Sequence, residues 1–332
     1  MQSTNHILMI RPANFAGNEQ TAASNHFQQV TGTGDHIHQQ ALREFDQLKN
    51  SLFAAGITVN VIDDTPQPIK PDAVFPNNWI SFHADGAVVF YPMMAPNRRI
   101  ERRVDILERL SERGYHINNL IDLSLHEAAN QFLEGTGSLV LDRVHRMAYA
   151  CLSPRTDVEV LGEFAQRLDY ELVVFNAVDV NQQAIYHTNV LMCVGSRFAV
   201  LCVDAINKEE RKGVLHALQS TGHEIIDIAL QQMQSFAGNM LELQNNRGES
   251  IIVASQTAID SLLPAQRSQL ELLGGQLIVA SIPSIEQQGG GSVRCGNPPG
   301  TKAFCGIPGK VGADRVPSPA GQLALRRPVA FV

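Results

Sequence analysis

A cysteine, a histidine and a glutamate stand in three short polar segments that are far apart in the chain. Cys295 ends a glycine-rich segment, His187 follows a tyrosine, and Glu134 precedes a glycine. A thiol beside a protonated imidazole is held as thiolate at neutral pH and is then a strong nucleophile. The same imidazole can protonate a leaving group and afterwards activate water. A buried carboxylate can orient the partner that carries an N–H. If the fold brings these residues together, they predict covalent catalysis.

Each of these residues also has a plainer interpretation. A lone Cys295 is more often an unremarkable thiol, and His187 beside an aromatic residue is more often a core histidine. Glu134 before a glycine can simply close a turn. The run of three glycines at residues 289–291 could cradle phosphate, but the strand and helix context of a phosphate loop is missing. Only a shared position in a repeated pattern favours the catalytic interpretation.

The elements that must position these residues recur along the chain. Residues 79–83 and 87–91 are typical of a β-hairpin turned at Asp85 and Gly86, with a helix predicted over 97–113 and a strand over 115–121. The same order is predicted three more times, over 138–175 (its helix from a Thr156 cap to Leu168), 190–228 and 240–280.

The hairpins begin about every 50–60 residues, a period that indicates a propeller or an array of supersecondary units. A fifth unit begins at the N-terminus with a strand over 6–11, a helix near 39–55 and a strand over 57–62. It lacks a first hairpin strand, which a closed array would take from the chain just after Cys295. The alternative is a plain α+β protein in which hairpins and helices alternate by chance. If the units do close around an axis, the segments before the hairpins share one pocket, contributing Asn78, Glu134, His187, Asn189, Asn239 and Cys295.

The composition and net charge of the chain exclude several classes of protein. With 332 residues, 44% hydrophobic and 18% charged, the chain can bury a sizeable core, which excludes wholesale disorder. The net charge of −7 argues against nucleic acid or a membrane surface as partner. Five cysteines without CxxC spacing disfavour a disulfide framework and a zinc ribbon. No signal peptide or membrane span is predicted, so we expect a soluble, cytoplasmic protein.

The composition changes after Cys295. Residues 296–332 hold 6 Gly and 6 Pro in 37 positions, with one acidic residue against five basic ones. No helical or strand period continues through them. We therefore expect a catalytic domain over 1–295 and an irregular Gly/Pro-rich tail over 296–332. A shifted reading frame near the end of the coding sequence would explain the change.

Several segments together resemble the pentein superfamily of guanidino-group-modifying enzymes, and more narrowly its bacterial amidinotransferase-related branch, which includes citrulline ureidases. The resemblance implies an α/β fold, a five-bladed α/β propeller of ββαβ repeats around a pseudo-fivefold axis. It implies a nucleophile at Cys295 and a general acid and base at His187, assisted by Glu134, with no metal or organic cofactor. The segments that carry it are residues 9–12, 71–83, 134–137, 186–189, 236–240 and 289–295.

Two departures from the arginine deiminase pattern bear on the substrate. Those enzymes hold a guanidinium cation with carboxylates at the positions of Asn78 and Asn189. Burying a cation without counter-charges is costly, whereas an amide can both donate to and accept from a neutral ureido group. The sequence therefore favours citrulline over arginine. Asp72, six residues before Asn78, could supply one charge, so guanidino substrates stay open.

The expected function is hydrolysis of a C–N bond, not a peptide bond, in a small ureido or guanidino amino acid, citrulline favoured. The alternatives are an arginine amidinotransferase, a deiminase and a non-catalytic pentein that acts as a binding module. The partner is a small molecule, with neither nucleic acid nor membrane, and a homo-oligomer is one option. Asn239 is a further candidate for substrate binding, and the α-carboxylate would be held by Arg11, Arg98 or Arg99.

Overall fold

The computed structural model of the protein describes residues 1–29 and 35–295. The predicted tail at 296–332, and the strand expected directly after Cys295, lie outside the described residues. The N-terminal unit is a two-stranded parallel sheet in which His6 pairs with Thr58 and Arg11 with Asp63. Its elements are β1 (His6–Arg11), α1 (Glu19–Ala22), α2 (Asp35–Ala54) and β2 (Thr58–Asp63).

Four three-stranded sheets follow, and all four share one topology. In each, two strands form an antiparallel hairpin, and the third strand returns parallel to the second. The first contains β3 (Ile80–Phe82), β4 (Ala87–Phe90), α3 (Pro96–Arg99), α4 (Asp105–Glu112) and β5 (Asn119–Asp122). The second contains α5 (Gly135–Ser138), β6 (Val140–Asp142), β7 (Met147–Cys151), α6 (Val158–Leu168) and β8 (Glu171–Phe175).

The other two units repeat the pattern. The third contains α7 (Thr188–Leu191), β9 (Met192–Val194), β10 (Phe198–Leu201), α8 (Arg211–Ser220) and β11 (Glu224–Asp227). The fourth contains α9 (Leu230–Gln234), β12 (Leu241–Gln244), β13 (Ser250–Ser255), α10 (Gln256–Ser261), α11 (Pro264–Gly274), β14 (Gln276–Ala280) and, last, α12 (Pro283–Gly289). The predicted order of mixed α/β elements is confirmed. The closed ring of five blades stays a prediction, since the strand that would complete the fifth unit lies beyond the described residues.

Two helices have bounds that differ from those predicted. The helix expected over 97–113 is split into α3 and α4. Between them, Arg102 pairs with Glu127, and Arg103 bonds Asp105 and the carbonyl of Asp63, so the chain leaves the helix where these side chains find partners. The helix expected from a Thr156 cap begins at Val158 instead, because the Asp157 carboxylate accepts from the first free backbone N–H groups of α6.

The segments before the hairpins are tight turns packed against one another, which explains why the first hairpin strands are shorter than predicted. α5 contacts both the 3-10 turn Pro76–Asn78 and α7. Gly135 has φ +47°, and a Cβ there would lie 2.2 Å from the carbonyl oxygen of Asn77. The Thr188 hydroxyl donates to the Ser138 carbonyl at 2.5 Å and accepts from the Cys151 N–H at 2.8 Å. Successive units are therefore joined at the positions where the candidate site residues stand.

The core lies within and between the sheets. β4, β7 and β10 are buried along their whole length, which accounts for their continuous apolar sequences. No helix in the described part of the chain is both long enough and apolar enough to cross a membrane.

The packing of Trp79 gives a direct test of this core. Its side chain is 1% exposed and stacks at 5.8 Å on the ring of Phe90. We expect Trp79→Ala to lower the free energy of unfolding by about 3–5 kcal/mol, because the cavity left behind cannot fully collapse. Phe53→Ala is the control, since Phe53 is 74% exposed on α2 and should change stability by less than about 0.5 kcal/mol. Urea unfolding measures both, and equal losses would contradict the assigned packing.

Candidate active site

One partly enclosed cavity collects several of the residues predicted to do chemistry. Asn78, His187 and Cys295 line it, and Glu134 lies directly behind His187. The turns of three units and the segment after α12 supply these side chains. The full lining is Thr21, Asn25, Asp72, Phe75, Asn78, Arg98, Arg155, Tyr186, His187, Gly289, Gly290, Gly291 and Cys295.

The thiol of Cys295 is buried and accepts from two side-chain amides. Nδ2 of Asn239 lies 3.2 Å from Sγ, and Nδ2 of Asn189 lies 3.4 Å from it. Burial raises the pKa of the Cys295 thiol, and the amide donors and Arg294 only partly oppose that shift. Because these donors favour the thiolate, they are placed to stabilise the sulfur when it loses its proton.

His187 is held by a buried acidic partner. Its Nε2 lies 2.9 Å from Oε2 of Glu134, and the same carboxylate oxygen accepts from Nη1 of Arg155 at 3.3 Å. Although burial opposes its charge, Arg155 and His187 hold the pKa of Glu134 well below its usual range. Burial lowers the pKa of His187 to about 4, with Glu134 opposing the shift. In the described part of the chain Nδ1 of His187 has no hydrogen-bond partner, so it is the nitrogen available as a base.

The resting protonation states differ from the expected thiolate and imidazolium pair. Burial lowers the pKa of His187 and raises that of Cys295, and both shifts favour the neutral form of the group. The physical reason is desolvation, which disfavours the charged forms of both side chains. The site is therefore a neutral thiol with a neutral imidazole nearby in the same cavity.

Charged groups on the other side of the cavity are already paired. Arg98 forms a fork to Glu101, with its Nε at 3.0 Å and its Nη2 at 2.9 Å from the two carboxylate oxygens. Its Nη1 donates to Oδ1 of Asn78 at 2.7 Å. Oδ2 of Asp72 accepts from Nδ2 of Asn18 at 2.8 Å and lies 3.6 Å from Nε of Arg98. Among the described residues, Nδ2 of Asn78 and Oδ1 of Asp72 are buried without partners. These two atoms are free for a substrate.

Arg155 is a site residue that the sequence reasoning missed. Its guanidinium donates to Glu134, to the carbonyl of Thr21 at 3.0 Å and to Oγ of Ser24 at 2.6 Å, and it lies 5.0 Å over the ring of Tyr186. It follows a hairpin instead of preceding one, so the repeat pattern did not single it out. The missed segment around α1 contributes Thr21 and Asn25 to the lining, and its Asn18 and Ser24 bond Asp72 and Arg155.

The arginines proposed for the substrate α-carboxylate are placed differently from expectation. Arg11 pairs with Asp46 at 3.1 Å, is about one-third exposed, and is not among the residues that line the cavity. Arg99 donates to the carbonyl of Met93 at 2.9 Å and also lies outside the lining. Asp46 thus balances the charge of Arg11 away from the cavity lining, and binding of the α-carboxylate by Arg11 stays a prediction. Of the three arginines, Arg98 lines the cavity.

The amide donors of Cys295 can be tested through the thiol. Removing the Asn239 amide should raise the pKa of Cys295, because the N–H that stabilises the thiolate is lost. We expect the pH midpoint of iodoacetamide labelling at Cys295 to move upward in Asn239→Ala. The rate is followed by mass spectrometry over pH, with Cys295→Ser as the blank and Asn50→Ala, on the exposed face of α2, as the control. A midpoint that stays at its wild-type value would contradict the assignment.

Comparisons with known proteins place the chain in a family. A family model described as N,N dimethylarginine dimethylhydrolase, eukaryotic, matches residues 11–298. No curated protein matches the chain.

Several solved structures share the fold at low sequence identity. ArgZ, an arginine dihydrolase from the ornithine-ammonia cycle in cyanobacteria, gives a TM-score of 0.67 at 17% identity in its apo structure, over 88% of this chain and 40% of that chain. The chain thus spans less than half of the ArgZ chain. A cysteine-to-serine variant of the N-terminal domain of ArgZ, bound to substrate, gives 0.67 and 17% over 88% of this chain and 96% of that chain.

A third structure is a dimethylarginine dimethylaminohydrolase variant in an adduct with S-methyl-L-thiocitrulline. Its TM-score is 0.60 at 16% identity, over 89% of this chain and 98% of that chain. At these identities the structures show a shared fold, and it is the family model, which covers most of the sequence, that establishes the relationship. The predicted superfamily is confirmed: this chain belongs to the N,N-dimethylarginine dimethylhydrolase family of the pentein superfamily of guanidino-modifying enzymes.

Proposed function

We propose that this protein is a cysteine-dependent hydrolase that cleaves a C–N bond at the ureido or guanidino end of a small amino acid, with a citrulline-type ureido group favoured. The observation that carries the proposal is the thiol of Cys295, held by two amides in the same cavity as the His187–Glu134 pair. The structural neighbours support the reaction class, because they are named as hydrolases of guanidino compounds. Residues 1–295, with their five units closed into a ring, would form the catalytic domain.

Two unpartnered side-chain amide atoms support a neutral substrate group. Glu134 is paired with Arg155, and Asp72 lies beside Arg98, which also holds Glu101. These three carboxylates and two arginines carry one net negative charge when all are ionised, which a guanidinium would balance, but desolvating a cation is a cost that a neutral ureido group does not carry. The unpartnered Nδ2 of Asn78 can donate to a ureido oxygen. The unpartnered Oδ1 of Asn189 can accept from a ureido N–H.

The neutral resting states suit the first step of such a reaction. As Sγ of Cys295 attacks the ureido carbon, the thiol proton passes to Nδ1 of His187, which Glu134 then stabilises as imidazolium. The carbon–nitrogen bond to the amino-acid side chain breaks, and the imidazolium gives its proton to the departing amine. The enzyme retains a carbamoyl group on sulfur. The amides of Asn189 and Asn239 next to Sγ lie where they can donate to the oxygen that gains charge.

In the second step, a water molecule releases the carbamoyl group from the sulfur. His187 removes a proton from a water molecule that attacks the carbamoyl carbon, and the sulfur leaves and regains that proton as a thiol. The released carbamate decomposes to carbon dioxide and ammonia. From citrulline the products are ornithine, carbon dioxide and ammonia.

A second candidate is hydrolysis of a guanidino substrate such as arginine or an N-methylated arginine. The unpartnered Oδ1 of Asp72 in the cavity favours it, since a carboxylate oxygen is a strong acceptor for a guanidinium N–H. The name of the matching family points the same way. An amine acceptor in place of water would make the protein an amidinotransferase. The assembled Cys295, His187 and Glu134 argue against a binding module without activity.

A substrate panel separates these candidates. We expect the purified protein to release ornithine and ammonia from citrulline faster than any product from arginine, dimethylarginine or agmatine. Cys295→Ala should lower turnover to background, whereas Cys202→Ala, a buried cysteine outside the cavity, should keep it. Ornithine, citrulline and ammonia are quantified by chromatography, with and without an added amine acceptor. Faster turnover of arginine than of citrulline would overturn the ureido preference.

A substitution that adds a negative charge at Asn78 tests the preference for a ureido over a guanidino substrate. Asn78→Asp replaces the unpartnered N–H donor by a carboxylate oxygen while keeping an acceptor for Arg98. The ratio of kcat/KM for citrulline to that for arginine should fall by about 10- to 100-fold, the effect of one charge-assisted hydrogen bond. Asn50→Asp, which adds the same charge on the surface of α2, should leave the ratio unchanged. A ratio equally unchanged in Asn78→Asp would show that this amide does not contact the reacting group.

A further inference from the structure

Cys295 lies at the end of a segment that glycine makes intrinsically flexible. We call residues 289–295 the glycine loop. A Cβ at Gly289 would lie 2.6 Å from a ring carbon of Phe75, and one at Gly290, which has φ +63°, would lie 2.5 Å from Nδ2 of Asn25. Side chains are therefore excluded here, although glycine loses more backbone freedom on ordering than any other residue. A single conformation of the loop must be enforced by contacts from outside it.

Glu286, in the last turns of α12, supplies one such contact. Its carboxylate is buried and accepts from two hydroxyls, with Oε1 2.6 Å from Oγ of Ser292 and Oε2 2.7 Å from Oγ of Thr257. The carbonyl of Ser292 in turn accepts from the N–H of Cys295 at 2.9 Å. The carboxylate thus connects α10 to the turn that carries the thiol.

Tyr186 supplies the second contact, from a different unit of the fold. Its hydroxyl donates to the carbonyl of Gly290 at 2.6 Å. Its ring lies 4.6 Å from the ring of His187 at an angle of 40°, and the guanidinium of Arg155 covers it at 5.0 Å. One side chain therefore contacts the glycine loop, the candidate base and the arginine that pairs with Glu134.

We propose that Tyr186 and Glu286 are positioning residues that hold the glycine loop so that Sγ of Cys295 faces the cavity that it shares with His187. Tyr186 fixes the beginning of the loop relative to the base, and Glu286 fixes the turn that ends in Cys295. The kinetic consequence rests on the proposed hydrolase function, whereas the effect on the loop conformation does not.

Two conservative variants test the proposal. Tyr186→Phe removes only the hydroxyl, and Glu286→Gln keeps the size of the side chain but replaces one acceptor oxygen by a donor. Tyr149→Phe on β7 is the matched control for a buried tyrosine. Glu242→Gln on β12 is the matched control for a buried carboxylate, since it also accepts from two serine hydroxyls at 2.7 Å.

Hydrogen exchange of the backbone amides in residues 287–295 is the first readout. Loss of one hydrogen bond should raise the exchange rate in this segment about fivefold or more in Tyr186→Phe and in Glu286→Gln, but not in the controls. Wild-type exchange in the segment, or an equal rise throughout the chain, would overturn the proposal, because the second pattern indicates only a less stable fold.

Steady-state kinetics are the second readout. With the preferred substrate, kcat should fall about tenfold in each variant while KM stays at its wild-type value, as expected when only the reacting sulfur is displaced. Faster exchange with unchanged kcat would overturn the positioning role. A wild-type protein that turns over no substrate of the panel would refute the proposed function, and the exchange result would still decide whether Tyr186 and Glu286 hold the loop.

Discussion

Two buried arginines allow this cavity to contain acidic groups at all. Glu134 and Asp72 lie where water is largely excluded, and an unpaired buried carboxylate would give up its charge or weaken the fold by several kcal/mol. Arg155 pairs with Glu134 and also bonds Thr21 and Ser24, so it connects the catalytic side of the cavity to the segment around α1. On the opposite side, Arg98 pairs with Glu101 and lies beside Asp72. Arg155 contributes the largest of the effects that keep Glu134 charged, so that it can act on His187 as an anion.

The turns before the hairpins explain how a fold of repeated units forms a single site with a different side chain from each unit. The backbone positions are equivalent from unit to unit, yet one presents a glutamate, another a histidine and another an asparagine. The packing of these turns on one another fixes their separation, as the bonds of Thr188 to Ser138 and Cys151 show. Each turn can then carry a different side chain without altering its neighbours. The site is assembled from turns of different units that hold one another in place.

The features that could be predicted from the sequence are those that depend on interactions between residues close together in the chain. The strand His6–Arg11 has its predicted bounds, and the strands Glu171–Phe175 and Gln276–Ala280 end where their units were predicted to end. Asn78, His187 and Cys295 were found because the repeat marked their positions. Arg155 and Asn18 were not found, since Arg155 bonds Thr21 and Asn18 bonds Asp72 across more than fifty residues of chain, and no spacing reveals such pairing. Nothing in the sequence shows that Asp46 balances the charge of Arg11, so the place of Arg11 outside the cavity lining could not be predicted either. The protonation states of Cys295 and His187 depend on burial, which the sequence does not specify.

The side-chain amide of Asn239, next to the thiol of Cys295, is fixed in one orientation. Oδ1 of Asn239 accepts from the backbone N–H of Arg294 at 3.1 Å, and its Nδ2 donates to the backbone carbonyl of Asn189 at 2.9 Å. Rotating the amide by half a turn would place oxygen against oxygen and N–H against N–H, so the main chain on both sides forbids the flip. The N–H that points at Sγ is therefore set before any substrate arrives. A donor locked in this way needs no rearrangement as negative charge develops, which is the property that makes such groups effective in stabilising a transition state.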